Sequence, residues 1–167
     1  MILIDSREKK YKHIIEYFDA NNIEYDYSKL FVGDFATANN QKICIDRKKD
    51  LIEVSQNLCQ QHARFKRECE RAQKANIKLI ILVEQVGVDN IEDVRNWINP
   101  RLVNWEFTNK AHQQGKMLYS KISDSPPING EKLYKIMQTM TARYNIEWLF
   151  CSKENTGKRI LELLEEQ

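Results

Sequence analysis

The chain has 167 residues, enough for one domain with a hydrophobic core and too few for two domains of ordinary size. Its hydrophobic fraction of 42% and charged fraction of 30% are typical of a globular protein. No stretch approaches the ~20 consecutive apolar residues of a membrane span, and the start lacks the basic-then-apolar pattern of a secretory signal. We therefore expect one domain over residues 1–167, located in the cytoplasm and outside any membrane.

The net charge of +2 is close to neutral, so the overall charge does not by itself indicate a nucleic-acid partner. Basic residues nevertheless gather at three places. The clusters are Arg7, Lys9, Lys10 and Lys12; residues 47–49; and Arg64, Lys66, Arg67 and Arg71. Such clusters can contact phosphate, and they are equally typical of a solvated helix face, so the pattern supports both interpretations.

The first half of the chain alternates between strand and helix patterns. In chain order, its predicted elements are a strand at 1–5, a helix at 7–22, strands within 23–37, a strand from 42 to 48, a helical region at 50–75 and a strand at 78–84. Gly33 indicates a bend or bulge, and a break in the helical region is expected near residues 60–62. The run KLIILVE is apolar almost throughout, which is typical of a strand at the centre of a sheet.

The second half is less regular. Its predicted elements are an amphipathic segment at 90–98, a helix at 129–145, a strand at 146–152 and a closing helix at 154–166. From about residue 100 to residue 127 the apolar positions have little period, so we predict an irregular excursion; loops of that length are usually functional or mobile. The order of the elements predicts an α/β fold with a mixed central sheet flanked by helices.

Two acids and a lysine lie on neighbouring predicted strands. Asp34 lies on one strand of an expected hairpin, and Asp46 and Lys48 end the next, so strand pairing can bring the three together. Asp46 and Lys48 share a face, whereas Arg47 points to the opposite one.

Carboxylate oxygens are the ligands that Mg²⁺ and Mn²⁺ prefer, and such a metal activates water and offsets charge on a phosphate. A lysine beside it can orient that water or stabilise developing negative charge. Taken alone the pattern is weak, because a salt bridge at the end of a strand has the same sequence.

Several motifs in a fixed order make the interpretation more specific. The runs LIDSRE at 3–8, VGDF at 32–35 and ICIDRK at 43–48, then a helix and IILVE, resemble the nuclease domain of the XPF family (ERCC-type). That family comprises structure-specific DNA endonucleases of the PD-(D/E)xK superfamily; the archaeal Hef nuclease domain and phage relatives are similar. The resemblance covers about residues 1–85 and resumes loosely near the end of the chain. It implies a restriction-endonuclease-like fold.

The resemblance also implies roles for individual residues. The implied metal ligands, or their immediate support, are Asp5, Glu8, Asp34 and Asp46. The implied catalytic residues are Asp34, Asp46, Arg47 and Lys48. The candidate DNA contacts are Arg7, Arg47, Arg64 and Arg67, the last two from the basic cluster on a predicted helix. The implied cofactor is Mg²⁺ or Mn²⁺.

Some positions stay open. Asp46 stands where the family usually has glutamate, and the superfamily pattern allows either acid. The acid that follows the family's E-R-K run corresponds to either Asp50 or Glu53, and the sequence does not choose between them. Trp97 and Trp105 flank the irregular excursion and are candidates for stacking on bases, as aromatic residues do in single-strand binders.

The sequence therefore predicts a metal-dependent DNA endonuclease acting on branched, forked or flap DNA, of the kind used in DNA repair, recombination or phage replication. The chain has no room for the tandem helix-hairpin-helix modules of larger family members, so a homodimer or a partner protein is a further expectation. The alternative is a catalytically inactive DNA-binding or scaffolding subunit of the same fold. Retention of all four residues Asp5, Asp34, Asp46 and Lys48 argues against that alternative.

Overall fold

A computed structural model describes residues 1–7, 11–116 and 125–165. Within these residues, a six-stranded sheet forms the centre of the molecule. Its strands are β1 (Ile2–Asp5), β2 (Tyr25–Ser28), β3 (Phe35–Thr37), β4 (Ile43–Lys48), β5 (Lys78–Glu84) and β6 (Glu147–Cys151). The order across the sheet is β2-β1-β3-β4-β5-β6, with β3 antiparallel to both of its neighbours and every other pair parallel. The predicted α/β fold with a mixed sheet is confirmed.

Helices cover both faces of this sheet. In the described part of the chain they are α1 (Lys12–Ala20), α2 (Leu51–Cys59), α3 (His62–Lys74), α4 (Pro100–Gln113), α5 (Gly130–Tyr144) and α6 (Thr156–Glu165). The core has two layers, one between the sheet and α1 with α6, the other between the sheet and α2, α3 and α5. Over the same residues, we find no helix with the length and apolar character needed to span a bilayer.

Side chains of β4 and β5 alternate between these two layers because successive residues of a strand point to opposite faces. In β5, Ile80 and Leu82 pack in the α1/α6 layer, whereas Ile81 packs in the other. In β4, Ile45 packs in the α1/α6 layer and Cys44 in the other. Residues of β4 with even numbers therefore face α2 and α3, which decides where the charged residues at its end lie.

The helix boundaries differ in detail from the sequence prediction. The helical region at 50–75 breaks between α2 and α3 at Gln60 and Gln61, as expected. The predicted helix at 7–22 is shorter, since α1 begins at Lys12. The predicted segment at 90–98 is a 3₁₀ helix, Ile91–Asn96, capped by the side chain of Asn90.

The irregular excursion predicted from about residue 100 to 127 is wrong for its first half, which forms α4. The physical reason is that this helix buries only Ala111, while Val103 and Phe107 are exposed, so burial imposes no period on its apolar residues. A local signal was present: Asn99 caps the helix and Pro100 occupies its first turn, a combination typical of a helix start. Residues 117–124 of the predicted excursion lie outside the described residues.

Gly33 has a backbone conformation that a larger residue cannot adopt without strain. Its φ is +72°, and a Cβ there would lie 2.9 Å from the carbonyl oxygen of Ile45. Gly33→Ala should therefore destabilise the fold in two ways. The left-handed backbone conformation costs about 1–2 kcal/mol, and the new Cβ clashes with the backbone. Gly87→Ala is the matched control, because Gly87 has a φ of +78° but a Cβ there would meet nothing within 4 Å. We expect urea denaturation to show the larger loss for Gly33→Ala; equal losses would contradict the clash.

Candidate active site

The antiparallel pairing of β3 and β4 brings Asp34 and Asp46 to the same end of the sheet. Phe35 of β3 lies opposite Ile45 of β4, and the Asp34 N–H donates to the Ile45 carbonyl at 2.7 Å. The Asp34 carboxylate accepts a hydrogen bond from the backbone N–H of Arg47 at 2.8 Å. The structure thus places Asp34 directly before β3 and Asp46 on the adjacent strand β4, both held in place by backbone contacts.

Asp46 and Lys48 form a buried ion pair on the face of β4 toward α2 and α3. The two residues are 3% and 8% exposed, and the Lys48 Nζ lies 2.8 Å from both Asp46 oxygens. Burial lowers the pKa of Lys48, but the charges of Asp46 and Asp34 more than offset this, so its pKa is raised above the usual value. Lys48 is therefore a fixed positive charge, and its ammonium also lies 5.8 Å from the centroid of the Phe65 ring.

The Asp46 Oδ2 atom is buried without a hydrogen bond of good geometry among the described residues. The Lys48 ammonium beside it donates to the other oxygen, Oδ1. The ammonium also lies 2.8 Å from Oδ2, so the buried carboxylate is compensated as an ion pair.

A cavity of about 340 Å³ lies between the end of β4 and the helices α2 and α3. Asp34, Asp46 and Lys48 form part of its lining. Arg64, Arg67 and Arg71 of α3 line it as well and are exposed. The cavity therefore combines the half-buried Asp34 and the buried Asp46 and Lys48 with exposed arginines.

Asp5 and Arg7 line another wall of this cavity and form an ion pair with each other. Arg7 Nε and Nη2 donate to the two Asp5 oxygens at 2.7 and 2.6 Å, and the N–H of Leu30 donates at 2.9 Å. Burial disfavours the charged form of Asp5, but these hydrogen bonds more than offset it, so the pKa of its carboxyl lies below the usual value. Both oxygens of Asp5 are thus engaged within the protein. Glu8, predicted beside them, lies outside the described residues.

Glu68 of α3 is a cavity residue that the sequence analysis missed. Its Oε1 accepts a hydrogen bond from the Gly33 N–H at 3.0 Å. Burial raises the pKa of Glu68, and the nearby charge of Asp46 raises it further. The available signal was its position beside Phe65 and Cys69, the predicted buried face of the helix.

The two candidates for the trailing acid have different positions. The Asp50 side chain caps α2 and accepts from the Glu53 N–H at 2.7 Å, a role that fixes the start of the helix. Glu53 lines the cavity, where it accepts from the Lys49 N–H at 2.9 Å. Glu53 is therefore the acid that the fold presents to the site.

Arg47 points away from Asp46, into a polar cluster in the α1/α6 layer. Its Nη1 donates to Glu84 Oε2 at 2.9 Å, and both side chains are nearly inaccessible, at 6% and 3%. Glu84 Oε1 lies 2.6 Å from His13 Nε2 and accepts from Thr156 Oγ1 at 2.9 Å. Glu84 thus connects β4, β5, α1 and α6 directly behind the cavity. This placement favours a supporting role for Arg47 over contact with a phosphate.

The donor atoms fit a hard divalent cation. Asp34, Asp46 and Glu68 offer carboxylate oxygens to the cavity, and these are the ligands that such a cation prefers. Among the described residues, no three His, Cys, Asp or Glu side chains converge closely enough to form a complete metal cage. A Mg²⁺ ion does not need one, since it is usually held by one or two carboxylates with waters and substrate phosphates as the other ligands.

The sequence matches the ERCC4 domain over residues 4–164, so the chain belongs to the ERCC4 domain family. The predicted resemblance to XPF-type nuclease domains is thereby confirmed. No curated protein matches the chain.

Two solved structures share the fold. XPF from Aeropyrum pernix is 15% identical, with a TM-score of 0.63, over 99% of this chain and 63% of that one. The same protein in complex with DNA is 14% identical, with a TM-score of 0.60 and the same coverage. The present chain therefore spans less than two thirds of the length of these relatives.

Replacing Asp5 tests its charged state. Because its pKa is lowered by folding, ionised Asp5 stabilises the fold above about pH 4 and loses this contribution as the pH falls through the folded-state value. Asp5→Asn should be less stable than the wild type at pH 7, with a difference that shrinks below about pH 4. Urea unfolding across this range is the measurement, with the exposed Asp26→Asn as the control. A difference in unfolding free energy that does not change with pH would contradict an ionised Asp5 in the folded state.

Replacing Glu84 tests the cluster behind the cavity. Glu84→Gln removes the buried carboxylate that accepts from Arg47 Nη1, which should lower the free energy of unfolding by about 3–5 kcal/mol. The control is Glu147→Gln, which breaks the half-exposed pair with Lys78 and should cost at most about 1 kcal/mol. Chemical denaturation compares the two variants. Similar losses would show that Glu84 contributes no more than a surface charge.

Proposed function

We propose that this chain is a Mg²⁺- or Mn²⁺-dependent DNA endonuclease. The observation that carries the proposal is the buried Asp46–Lys48 pair, with Asp34 directly before the adjacent strand β3, at the floor of a cavity edged by arginines. A site that only binds DNA needs the arginines but has no use for buried carboxylates, which repel phosphate. The acids become useful when a cation lies between them and the DNA.

One or two of the carboxylates of Asp34, Asp46 and Glu68 would hold the metal, with waters and substrate phosphate as its other ligands. When bound, the metal supplies an activated water and offsets charge on the phosphate. The backbone N–H of Arg47 orients Asp34, and the Gly33 N–H orients Glu68. Asp5, whose oxygens are engaged by Arg7 and Leu30, supports this acidic group from the side.

The basic residues act on the phosphate itself. Lys48 is held charged by Asp46 and stabilises the negative charge that develops on the phosphate oxygens as water attacks. Arg64 and Arg67, exposed at the edge of the cavity, hold the DNA backbone by contacts that depend on salt. Arg7, with a side chain 59% exposed, extends this basic edge toward β1.

DNA as the substrate is supported by the family and by the structure of XPF from Aeropyrum pernix in complex with DNA, whose fold the chain shares. We propose branched, forked or flap DNA as the preferred form, since the XPF-type resemblance implies junction substrates. A role in DNA repair or recombination would follow from that preference.

The proposal is tested by cleavage of end-labelled fork, flap, single-stranded and duplex DNA with Mg²⁺ or Mn²⁺. We expect cutting that requires the metal and falls about 10²-fold or more in Asp46→Asn, because the variant loses a charge that acts in the transition state. Asp26→Asn is the matched control, the same change on an exposed carboxylate of β2, and should cut at the wild-type rate.

A second readout does not depend on activity. A metal that binds only the folded chain raises its melting temperature. Mn²⁺ should therefore raise the melting temperature of the wild type and of Asp26→Asn, and have little effect on Asp46→Asn. Absence of both cutting and metal stabilisation, with DNA binding retained, would assign the chain to the inactive subunits of the fold.

A further inference from the structure

Phe31 is an exposed aromatic residue on the segment that leads from β2 to the candidate active site. It is 56% exposed, whereas its neighbours Leu30 and Val32 are buried in the core. Single exposed apolar residues are common, so exposure alone indicates no function. The position of Phe31 is informative, because Gly33 and Asp34, two and three positions further on, line the active-site cavity. Among the exposed large apolar residues of the described ranges, Phe31 is the nearest in sequence to the lining of that cavity.

The backbone on both sides of Phe31 is fixed by acids of the active site. Before it, the Leu30 N–H donates to Asp5 Oδ2 at 2.9 Å. After it, the Gly33 N–H donates to Glu68 Oε1 at 3.0 Å. Both acids line the cavity. The backbone that carries the exposed ring is therefore held in place beside the cavity, and a ligand can contact the ring at a low cost in conformational entropy.

Two exposed basic side chains accompany this ring. Lys29 and Phe31 are exposed while Leu30 between them is buried, so both side chains leave the segment on its outer side. Arg7 Nη2 donates to the Leu30 carbonyl at 3.0 Å, and the Arg7 side chain is 59% exposed. The aromatic surface beside the cavity thus carries positive charge.

An unpaired nucleotide has the features that this surface can contact. Its base has a flat apolar face, and it is flanked by phosphates. Aromatic side chains with nearby cations are how proteins hold single strands without reading their sequence. Bases within a duplex are stacked on one another, so their faces are not available to Phe31. Trp97, which the sequence makes a candidate for such stacking, packs against the core instead.

We propose that Phe31 stacks on an unpaired base of the DNA substrate, while Lys29 and Arg7 contact the phosphates beside that base. This inference rests on the proposed function, because its ligand is part of the same DNA. Since the chain continues from Phe31 directly into the cavity lining at Gly33 and Asp34, the stacked base belongs to a nucleotide close to the cut. The site therefore favours DNA with an unpaired base beside the cut, as at a fork or flap, over continuous duplex.

The binding test uses the full chain in EDTA, so that no metal-dependent cutting occurs. The probes are fluorescein-labelled oligo(dT) and an abasic oligonucleotide of the same length, which has the same phosphates without bases. Fluorescence anisotropy measures their binding. Phe31→Ala should bind oligo(dT) about 5- to 150-fold more weakly, the range for loss of one stacking contact. It should bind the abasic probe like the wild type, because the phosphate contacts are unchanged.

Further variants separate stacking from general apolar contact. Phe31→Leu keeps an apolar side chain but lacks a flat ring, so it should lose most of the affinity for oligo(dT). Phe31→Tyr keeps the ring and should retain most of it. The matched control is Phe107→Ala, since Phe107 of α4 is 73% exposed and does not line the active-site cavity; this variant should bind like the wild type. Urea denaturation checks that each variant is folded.

The charge contact of Lys29 has its own measurement. For a single strand, the slope of log K against log salt concentration is about −0.7 per phosphate contact. Lys29→Gln should therefore make the slope shallower by about 0.7, with oligo(dT) and with the abasic probe alike. Lys158→Gln is the control, because Lys158 is an exposed lysine of α6, and it should leave the slope unchanged.

Several outcomes overturn the inference. Unchanged oligo(dT) binding by a folded Phe31→Ala overturns it, and so does an equal loss of binding to the abasic probe. Full affinity in Phe31→Leu would replace stacking by general apolar contact. If the wild type cuts DNA but does not bind oligo(dT), the inference fails while the proposed function stands. If oligo(dT) binding depends on Phe31 but no DNA is cut with either metal, the stacking site stands and the nuclease does not.

Discussion

The end of β4 places charge on both faces of a buried sheet, and the surrounding structure is organised to stabilise that charge. Asp46 and Lys48 face α2 and α3, and Arg47 faces α1 and α6. Each is nearly inaccessible to water, so each needs a partner of opposite charge. Asp46 and Lys48 are paired with each other, while Arg47 requires Glu84 from the next strand. A single strand thus links the cavity to a polar cluster on the far side of the sheet.

The two faces of the sheet have different roles. On the cavity side, the acids lie close together: Asp46 is paired with Lys48, and the pKa of Glu68 is raised by burial and by the charge of Asp46. On the far side of the sheet, Glu84 accepts hydrogen bonds from three partners and fixes the position of the Arg47 side chain. The proposed function, in which the site would receive a cation and a phosphate, is favoured by acids held on a rigid support.

The sequence predicted features that depend on neighbouring residues better than features that depend on contacts between distant segments of the chain. Strands such as KLIILVE and the charged end of β4 were correctly anticipated because their periodicity reports burial directly. Helix α4 was missed because its exposed Val103 and Phe107 gave it no amphipathic period. Glu68 and Glu84 were also missed, since each is an ordinary acid in its local sequence. Their roles come from Gly33 and Arg47, which are 35 and 37 positions away.

The sequence by itself determined the order of the strands and of the helices other than α4, the placement of Asp46 and Lys48 on one face of β4, and the family to which the chain belongs. These follow from the two-residue repeat of a strand and from motifs that are contiguous in the chain. Only the tertiary structure decided that Glu53 lines the cavity while Asp50 caps a helix, and that Glu84 anchors Arg47. Each of these depends on which helices pack on which face of the sheet, and contacts between distant segments leave no periodic signal in the sequence.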